Sequence, residues 1–280
     1  MTKDWLNAFI ENALTEDIGD GDHSSLACIP SNATGKVKLL VKEAGILAGM
    51  DVALAVIRMV DADVKIEKFL SDGEKINPGN IVFTIEGKIQ TLLKTERLIL
   101  NIMQRMSGIA TRTNQYVEKL QGLHTKVLDT RKTTPGMRIL EKEAVKFGGG
   151  ENHRMGLYDM IMLKDNHIDF AGGIENAINS TIKYLQKTDK NLKIEIEVRN
   201  MEELKEVLQV GGVHRIMLDN FDIQTSKEAI KLINGRFETE SSGNITIENI
   251  RSYAETGVDY ISVGALTHHI KSLDLSLKAF

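Results

Sequence analysis

The sequence predicts an α/β protein in which a small N-terminal α/β region precedes a short, irregular (β/α) barrel. After residue 109, short apolar segments of strand character alternate with amphipathic helical segments, a pattern typical of parallel strands with crossover helices. Before residue 109, short strands are separated by the turn sequences SDG, NPG and EG. An open doubly wound sheet is the alternative, but no GxGxxG follows a strand to favour a dinucleotide-binding fold.

The composition is that of an ordinary soluble protein and limits the kinds of partner. The 280 residues are 42% hydrophobic and 26% charged, and the net charge of −4 gives no overall attraction to nucleic acid or anionic membranes. The single cysteine, Cys28, excludes an intrachain disulfide and a cysteine-based zinc site. The acidic N-terminus does not resemble a signal peptide, and no segment approaches the ~20 apolar residues of a membrane span. We therefore expect a cytoplasmic protein whose cationic clusters are local.

Apolar periodicity also predicts the N-terminal elements. Helices are expected at 4–17, 51–60 and 91–120, the last with a break at Ser107-Gly108, and a strand at 36–48. The stretch KIEKFLSDGEKINPGNIVFTIEGK is hammerhead-like and resembles the strand-rich turn of biotinyl and lipoyl domains. It lacks the lysine in a tight hairpin that such carriers modify, so we interpret it as scaffold.

Six segments predict the strands of the barrel. They are KVLDT, DMIMLK, LKIEIEV, HRIMLDN, RFETESSG and DYISVGAL, with helices between them at 174–187, 201–209, 225–233 and 247–256. We expect an N-terminal domain at 1–108 and a barrel at 109–269, with residues 270–280 packed back on the first domain. Active sites of parallel α/β barrels lie at the C-terminal ends of the strands. Every predicted strand ends in polar or small residues, which predicts a ligand site at one rim.

The side chains at these strand ends separate by charge. The cationic group is Arg131, Lys132, Arg138, His153, Arg154 and Lys164, and the acidic group is Glu195, Glu197 and Asp219. Arginine is suited to planar carboxylates, while acids suit hydroxyl groups or Mg²⁺. Glu195 and Glu197 are two apart on a strand and face the same side, so they need Lys164 or a metal as a partner. An internal salt-bridge network without a catalytic role is the other interpretation.

Small residues at two late strand ends predict a phosphate site. ESSGN (240–244) and SVGAL (262–266) leave backbone N–H groups open, as barrels do where they bind phosphate near their last strands, although each is also an ordinary strand-to-helix turn. The loop GGGENHR, residues 148–154, places His153 and Arg154. His268 and His269 follow, but their spacing does not support a metal site.

The stretches just described resemble those of the quinolinate phosphoribosyltransferase family. The similar segments run nearly end to end: EDIGDGDHSS, AGILAG, ERLILNIMQRMSGIAT, DTRKTTPGMR, GGGENHRMGLYDMIMLKDNH, IEIEV, IMLDNF, ESSGN and TGVDYISVGALTHH. The resemblance implies a reaction of quinolinate with phosphoribosyl pyrophosphate that gives nicotinate mononucleotide, pyrophosphate and CO₂ and requires Mg²⁺. It also implies a homodimer, or a higher oligomer, whose active sites are completed across the interface.

The resemblance further implies roles for individual residues. Lys164 matches the central lysine, and Glu197 and Asp219 match the acids that hold the ribose hydroxyls and Mg²⁺, directly or through water. The expected substrate-binding residues are Arg105 (from the neighbouring subunit), Arg131, Lys132, His153 and Arg154, with Arg138 and Glu195 close by. The expected phosphate cradle is Ser242, Gly243, Asn244, Gly264 and Ala265. Asn244 stands where many relatives have a second glycine.

Three other interpretations remain open on the sequence. A paralogous protein of the same fold, such as those linked to molybdenum metabolism, would take another anionic substrate; the TRKTTPG and NHR stretches argue against it. A non-enzymatic anion-binding protein would not need Lys164, Glu197 and Asp219 together. An aldolase would form a Schiff base on Lys164.

Overall fold

The computed structural model describes residues 2–280 and divides the chain into two compact units. The first unit comprises the chain up to Asn114 together with Thr134–Gly149 and His269–Phe280; the second comprises Gln115–Thr133 and Gly150–His268. In this division the first unit reaches Asn114 and includes Thr134–Gly149, which the sequence places in the barrel; the domain boundary at residue 108 stays a prediction.

Helices and strands are interspersed along the whole chain. Up to residue 147 the elements are α1 (Lys3–Ile18), α2 (His23–Cys28), β1 (Thr34–Val41), β2 (Gly45–Ile46), α3 (Met50–Val60), β3 (Lys65–Lys68), β4 (Lys75–Ile76), β5 (Ile81–Lys88), α4 (Ile89–Lys119), β6 (Lys126–Leu128) and α5 (Arg138–Phe147). The remainder are β7 (Ile161–Leu163), α6 (Asp165–Ala171), α7 (Ile174–Thr188), β8 (Ile194–Val198), α8 (Met201–Val210), β9 (Arg215–Asp219), α9 (Ile223–Ile233), β10 (Glu238–Ser242), α10 (Ile250–Ala254), β11 (Tyr260–Ser262), α11 (Ala265–His268) and β12 (Leu275–Ala279).

The first unit is built on an antiparallel sheet of order β12-β1-β5-β3. The last strand of the chain pairs with the first, from Val37 opposite Ala279 to Val41 opposite Leu275. Residues from the two ends of the chain thus share one sheet.

Helix α4 runs through Ser107-Gly108 without interruption, so the predicted break is wrong. Ser107 Oγ donates to the carbonyl of Ala48 at 3.1 Å and accepts from its N–H at 3.0 Å. A Cβ on Gly108 would collide with the carbonyl oxygen of Lys271. The two small residues allow close packing on the helix face and do not end the helix.

Helix α3 has an acid from another segment at its N-terminus. Gly49 precedes it at φ +99° and has no side chain to cap the helix. The N–H of Met50 instead donates to Asp72, at 3.0 Å to Oδ1 and 3.2 Å to Oδ2. Burial, the largest effect, raises the pKa of Asp72 to about 6, against the lowering effect of these hydrogen bonds.

The second unit is built on a parallel sheet of order β6-β11-β10-β9-β8-β7. Each strand from β7 to β11 lies beside the next one in the chain, and the first strand lies beside the last. This is the order of a barrel, because a doubly wound sheet reverses direction at its switch point. No hydrogen-bonded pairing joins β6 to β7 among the described residues, so the six predicted strands form a short barrel open along one seam.

Alternation along β8 decides which side chains enter the barrel. Ile194, Ile196 and Val198 pack in the core beneath the helices, which leaves Glu195 and Glu197 on the opposite, interior face. The following helix begins where Asn200 Oδ1 accepts from the N–H of Glu203 at 2.9 Å. No helix within residues 2–280 is long and apolar enough to cross a membrane.

Candidate active site

A cavity of about 860 Å³ lies in the second unit, where the C-terminal ends of the strands meet. The sequence-predicted residues in its lining are Arg131, Lys132, His153, Arg154, Lys164, Glu197, Asp219, Ser242, Gly243, Asn244, Gly264 and Ala265. The fold therefore gathers both charge groups and the small-residue turns around one space. Glu195 is fully buried and is not in this lining, and Arg105 and Arg138 belong to the first unit.

Lys164 and Glu197 form an ion pair across two neighbouring strands. Lys164 follows β7, Glu197 lies on β8, and the lysine Nζ is 2.7 Å from Glu197 Oε2. The lysine side chain is 43% exposed and the glutamate 10%. The pair is therefore partly open to the cavity, and a ligand can approach the ammonium group while Glu197 holds it in place.

Asp219 is held by a short chain of amides at the end of β9. Asn220 Nδ2 donates to Asp219 Oδ2 at 2.8 Å, and Asn220 Oδ1 accepts from Asn244 Nδ2 at 3.2 Å. Asn220 and Asn244 both have left-handed backbones, at φ +55° and +52°, a conformation that asparagine tolerates well. Asn244 can therefore stand at a position where a glycine is common.

Two glycines keep space open at the ends of β10 and β11. Gly243 has φ +95°, and a Cβ there would collide with the side-chain amide of Asn220. A Cβ on Gly264 would lie 2.9 Å from His268 Nε2 and 3.1 Å from Lys132 Cδ. Backbone at both turns is thus accessible to a ligand without an intervening side chain.

A largely buried cluster of His153, Glu195, Glu240 and Arg215 lies at the wall of the cavity, which His153 and Glu240 line. The Nε2 atom of His153 is 2.9 Å from Glu195 Oε2 and 3.5 Å from Glu240 Oε2, and Arg215 Nη1 is 3.0 Å from Glu240 Oε2. Burial lowers the pKa of His153, but the two glutamates outweigh it and raise the pKa to about 9. Burial and the nearby Glu240 raise the pKa of Glu195 to about 7. The contacts favour a proton on the ring nitrogen that faces the carboxylates.

The positive charges of Arg131 and Arg154 repel each other. The pKa of Arg154 is lowered, first by burial and then by the positive charge of Arg131. Arg154 Nη1 also donates to the carbonyl of Met160 at 3.2 Å. Two cations that line one cavity and repel each other favour an anion between them.

In the first unit, Arg105 is fixed by contacts within its own chain. Its Nε donates to Glu141 Oε1 at 2.8 Å, and its Nη2 donates to Thr134 Oγ1 at 2.7 Å. Glu141 is fully buried, and its Oε2 accepts from the N–H of Thr134 at 3.2 Å. These contacts explain why Thr134–Gly149 joins the first unit.

Two family models match the chain. The model described as "Quinolinate phosphoribosyl transferase, N-terminal domain" matches residues 22–107, and the model of the C-terminal domain of the same enzyme matches residues 109–278. The chain belongs to the quinolinate phosphoribosyltransferase family. These matches bear out the resemblance inferred from the motifs.

Individual relatives agree with this membership of the quinolinate phosphoribosyltransferase family. The chain is 45% identical to a chloroplastic nicotinate-nucleotide pyrophosphorylase [carboxylating] of Oryza sativa subsp. japonica over 98% of this chain and 77% of the relative. It is 40% identical to a probable nicotinate-nucleotide pyrophosphorylase [carboxylating] of Bacillus subtilis, over 97% and 92%. The crystal structure of NadC from Streptococcus pyogenes superposes with a TM-score of 0.94 at 40% identity, covering 100% of this chain and 99% of that one.

The cavity of this family member also contains residues that the sequence reasoning missed. Glu240 and Ser262 line it, and His268, which the sequence suggested only as a doubtful metal ligand, lines it as well. Thr130 and Asn220 also line it, and both stand at the ends of predicted strands, KVLDT and HRIMLDN. Glu240 has no local signal, since its partners are distant in sequence.

Proposed function

We propose that this chain transfers the phosphoribosyl group of phosphoribosyl pyrophosphate to quinolinate with loss of CO₂. The products are nicotinate mononucleotide and pyrophosphate, and the reaction serves NAD biosynthesis. The observation that carries this proposal is the cavity of the second unit, which joins a cationic side, an acidic side and two glycine turns. Family membership supports the same reaction.

The cationic side suits a pyridine dicarboxylate. Arg131, Lys132 and Arg154 line it, and two carboxylates on one ring need several positive partners. An arginine fork can bind a carboxylate through two parallel hydrogen bonds. Binding of the dicarboxylate would relieve the repulsion between Arg131 and Arg154.

The acidic side suits the ribose and its developing charge. Displacement at the anomeric carbon builds positive charge on the sugar, and the carboxylates of Glu197 and Asp219 stabilise such charge when they are already in place. The chain of amides from Asn244 through Asn220 keeps Asp219 in place. Ser242, Gly243, Asn244, Gly264 and Ala265 offer backbone and polar groups for the 5′-phosphate.

Loss of CO₂ needs little acid–base catalysis by the protein. Once the ring nitrogen carries the ribose, the ring is cationic and stabilises the electron pair that stays on the ring carbon as CO₂ leaves, and that carbon then takes up a proton from solvent. The Lys164–Glu197 pair then serves to position and to balance charge, and no histidine base is required. The pairing of Lys164 with Glu197 at 2.7 Å also argues against a Schiff-base aldolase, which borohydride trapping with a carbonyl substrate would detect.

Mg²⁺ is the proposed cofactor. The oxygen donors of Glu197 and Asp219 are the kind that Mg²⁺ prefers, and Mg²⁺ usually binds one or two carboxylates together with substrate phosphates. Glu197 already accepts from Lys164, and Asp219 already accepts from Asn220. Each carboxylate could therefore bind Mg²⁺ either directly or through a water molecule. When bound, the ion would neutralise the leaving pyrophosphate.

A homodimer, or a higher oligomer, with shared active sites is proposed on Arg105. Its side chain is 27% exposed and is oriented by the buried Glu141, and the family resemblance implies that the matching arginine reaches the site of the neighbouring subunit. Cytoplasmic location is likewise proposed, on the single cysteine and the composition of an ordinary soluble protein. The names of plant relatives assign those proteins to chloroplasts or mitochondria.

The test is an incubation with quinolinate, phosphoribosyl pyrophosphate and Mg²⁺, with CO₂ and nicotinate mononucleotide measured. We expect both products in equal amounts, and no comparable turnover when nicotinate replaces quinolinate. A missing carboxylate leaves the partly buried guanidinium groups of Arg131 and Arg154 without that partner, which we expect to cost on the order of 1 kcal/mol per group. Equal turnover with nicotinate would contradict the dicarboxylate assignment, and absence of both products would contradict the reaction.

A further inference from the structure

The interior of the barrel holds Glu240, a buried acid that none of the steps above uses. It lies on β10 and is fully buried, with Arg215 Nη1 at 3.0 Å and His153 Nε2 at 3.5 Å from its Oε2. Glu195, on β8, approaches the same histidine nitrogen at 2.9 Å. Two strands separated by β9 therefore direct their carboxylates at one ring atom.

Protein groups engage both nitrogens of the His153 ring. Nε2 faces the two carboxylates, and Nδ1 accepts from the N–H of Arg154 at 2.7 Å. The N–H of His153 in turn donates to Asp129 Oδ1 at 2.9 Å. The ring is thus held on its buried side, and its other nitrogen fixes the backbone of the next residue.

The next residue, Arg154, faces the cavity. Its backbone is fixed by His153 and its guanidinium by the carbonyl of Met160, at 3.2 Å. A guanidinium held at two points can meet a planar carboxylate in one orientation, which favours a bidentate contact.

We propose that Glu240, together with Glu195, is a positioning residue for the dicarboxylate side of the cavity, because it anchors the His153 ring that fixes Arg154. The proposal rests on the proposed function for the identity of the ligand. It gives His153 a role in holding Arg154 beside the substrate contact that the family resemblance implies, and it assigns Glu195 to the same support.

The chain offers a matched control on the same strand. Glu238 lies two residues before Glu240 on β10, and its Oε2 accepts from Arg215 Nε and Nη2 at 3.2 and 3.1 Å. Its other contact is with Lys193, at 3.4 Å. Glu238→Gln therefore disturbs the same arginine as Glu240→Gln but leaves the anchor of His153 intact.

The experiment compares Glu240→Gln and Glu238→Gln with the unmodified chain. Quinolinate binding is measured by calorimetry, and KM is measured separately for quinolinate and for phosphoribosyl pyrophosphate. Arg215 and His153 both contact Oε2 of Glu240, so glutamine can keep an oxygen at that place but removes the negative charge that faces the His153 ring. We expect Glu240→Gln to weaken quinolinate binding and raise its KM about 10-fold, a change of about 1.4 kcal/mol, with the other KM within about twofold. Glu238→Gln should change none of these by more than about twofold, since only a contact outside the Arg154 support is altered.

Equal rises of both KM values in Glu240→Gln, or the same behaviour in both variants, would overturn the positioning role. Calorimetry needs no turnover and so separates the two proposals. If the unmodified chain forms no product but Glu240→Gln still weakens quinolinate binding, only the proposed reaction is contradicted. A chain that binds no quinolinate contradicts both.

A second pair of variants keeps the proposal testable if Glu240→Gln does not fold. His153→Asn keeps an amide oxygen close to where Nδ1 accepts from Arg154, whereas His153→Ala has no acceptor there. We expect the asparagine variant to bind quinolinate about fivefold more tightly than the alanine variant, if the backbone link to Arg154 is the route. Equal affinity in the two variants would overturn the role of His153 as the connection.

Discussion

At the scale of single residues, two asparagines and a glycine set the geometry of the acidic side. Asn220 and Asn244 both adopt left-handed backbones, and their side chains meet beside Gly243. Glycine is required at this position for two reasons: its φ is +95°, and a Cβ would collide with the side-chain amide of Asn220. Local sequence predicts the turn, but the contact between residues 220 and 244 depends on the pairing of β9 with β10.

The first prediction concerns Gly243→Ala. The new methyl group should displace Asn220 and with it Asp219, so that KM for phosphoribosyl pyrophosphate rises more than about 10-fold while quinolinate binding changes little. Gly235→Ala is the matched control, since Gly235 also has a positive φ, +70°, but its Cβ would meet nothing within 4 Å. Equal kinetic effects in the two variants would show that backbone strain, and not the collision, is responsible.

At the scale of elements, α4 shows where local reasoning fails. Serine followed by glycine predicts a break because both residues disfavour helix interiors. The structure has a continuous helix, because Ser107 binds Ala48 and Gly108 admits the backbone of Lys271. Tertiary packing decides this position, and no window of neighbouring residues contains Ala48 or Lys271.

The second prediction follows from that packing. Gly108→Ala gains helix propensity but forces the backbone at Lys271 away, so we expect the free energy of unfolding to fall by about 1–3 kcal/mol. Asn101→Ala, at an exposed position of the same helix, should change it by less than about 0.5 kcal/mol. Chemical denaturation measures both. A stabilised Gly108→Ala chain would mean that propensity outweighs the close contact.

The third prediction concerns the acid at the start of α3. The folded pKa of Asp72, about 6, lies above its ordinary value of 3.8. The stabilisation that the protonated Asp72 gives the folded state is therefore fully present below pH 3.8 and is lost as the pH rises through 6. We expect the unmodified chain to lose on the order of 1–2 kcal/mol relative to Asp72→Asn between about pH 4 and 7, after allowance for screening by water. Parallel denaturation curves at each pH give the difference, and a constant difference would contradict the raised pKa.

At the scale of the whole molecule, the barrel and its rim are predictable because strand and helix alternate within short windows. Asp219, Ser242 and Gly264 could be placed together from that alternation alone. The cluster around Glu240 could not, because it joins residues from separate strands through their side chains. The place of Thr134–Gly149 in the first unit depends on the pairing of Glu141 with Arg105, which is equally remote in sequence.

The fourth prediction tests whether chains share active sites. Arg105→Ala and Lys164→Ala proteins should each be inactive, but a mixed dimer would have one site with both defects and one with neither. Random exchange should restore about a quarter of the activity of the unmodified protein. Differently tagged chains show whether exchange has occurred. If chains exchange and activity stays at the level of the parents, Arg105 acts within its own chain.

The pairing of β12 with β1 has a consequence for how the chain is made. Strand β1 is synthesised long before its neighbour Leu275–Ala279, because the second unit lies between them in the chain. Until then one edge of β1 has no partner, and an unpaired strand edge can pair with other chains. The six strands of the second unit all precede β12, so its sheet can form without β12, whereas the sheet of the first unit cannot be completed. A chain truncated after His268 should therefore be protected from proteases in the second unit and sensitive around Thr34–Val41.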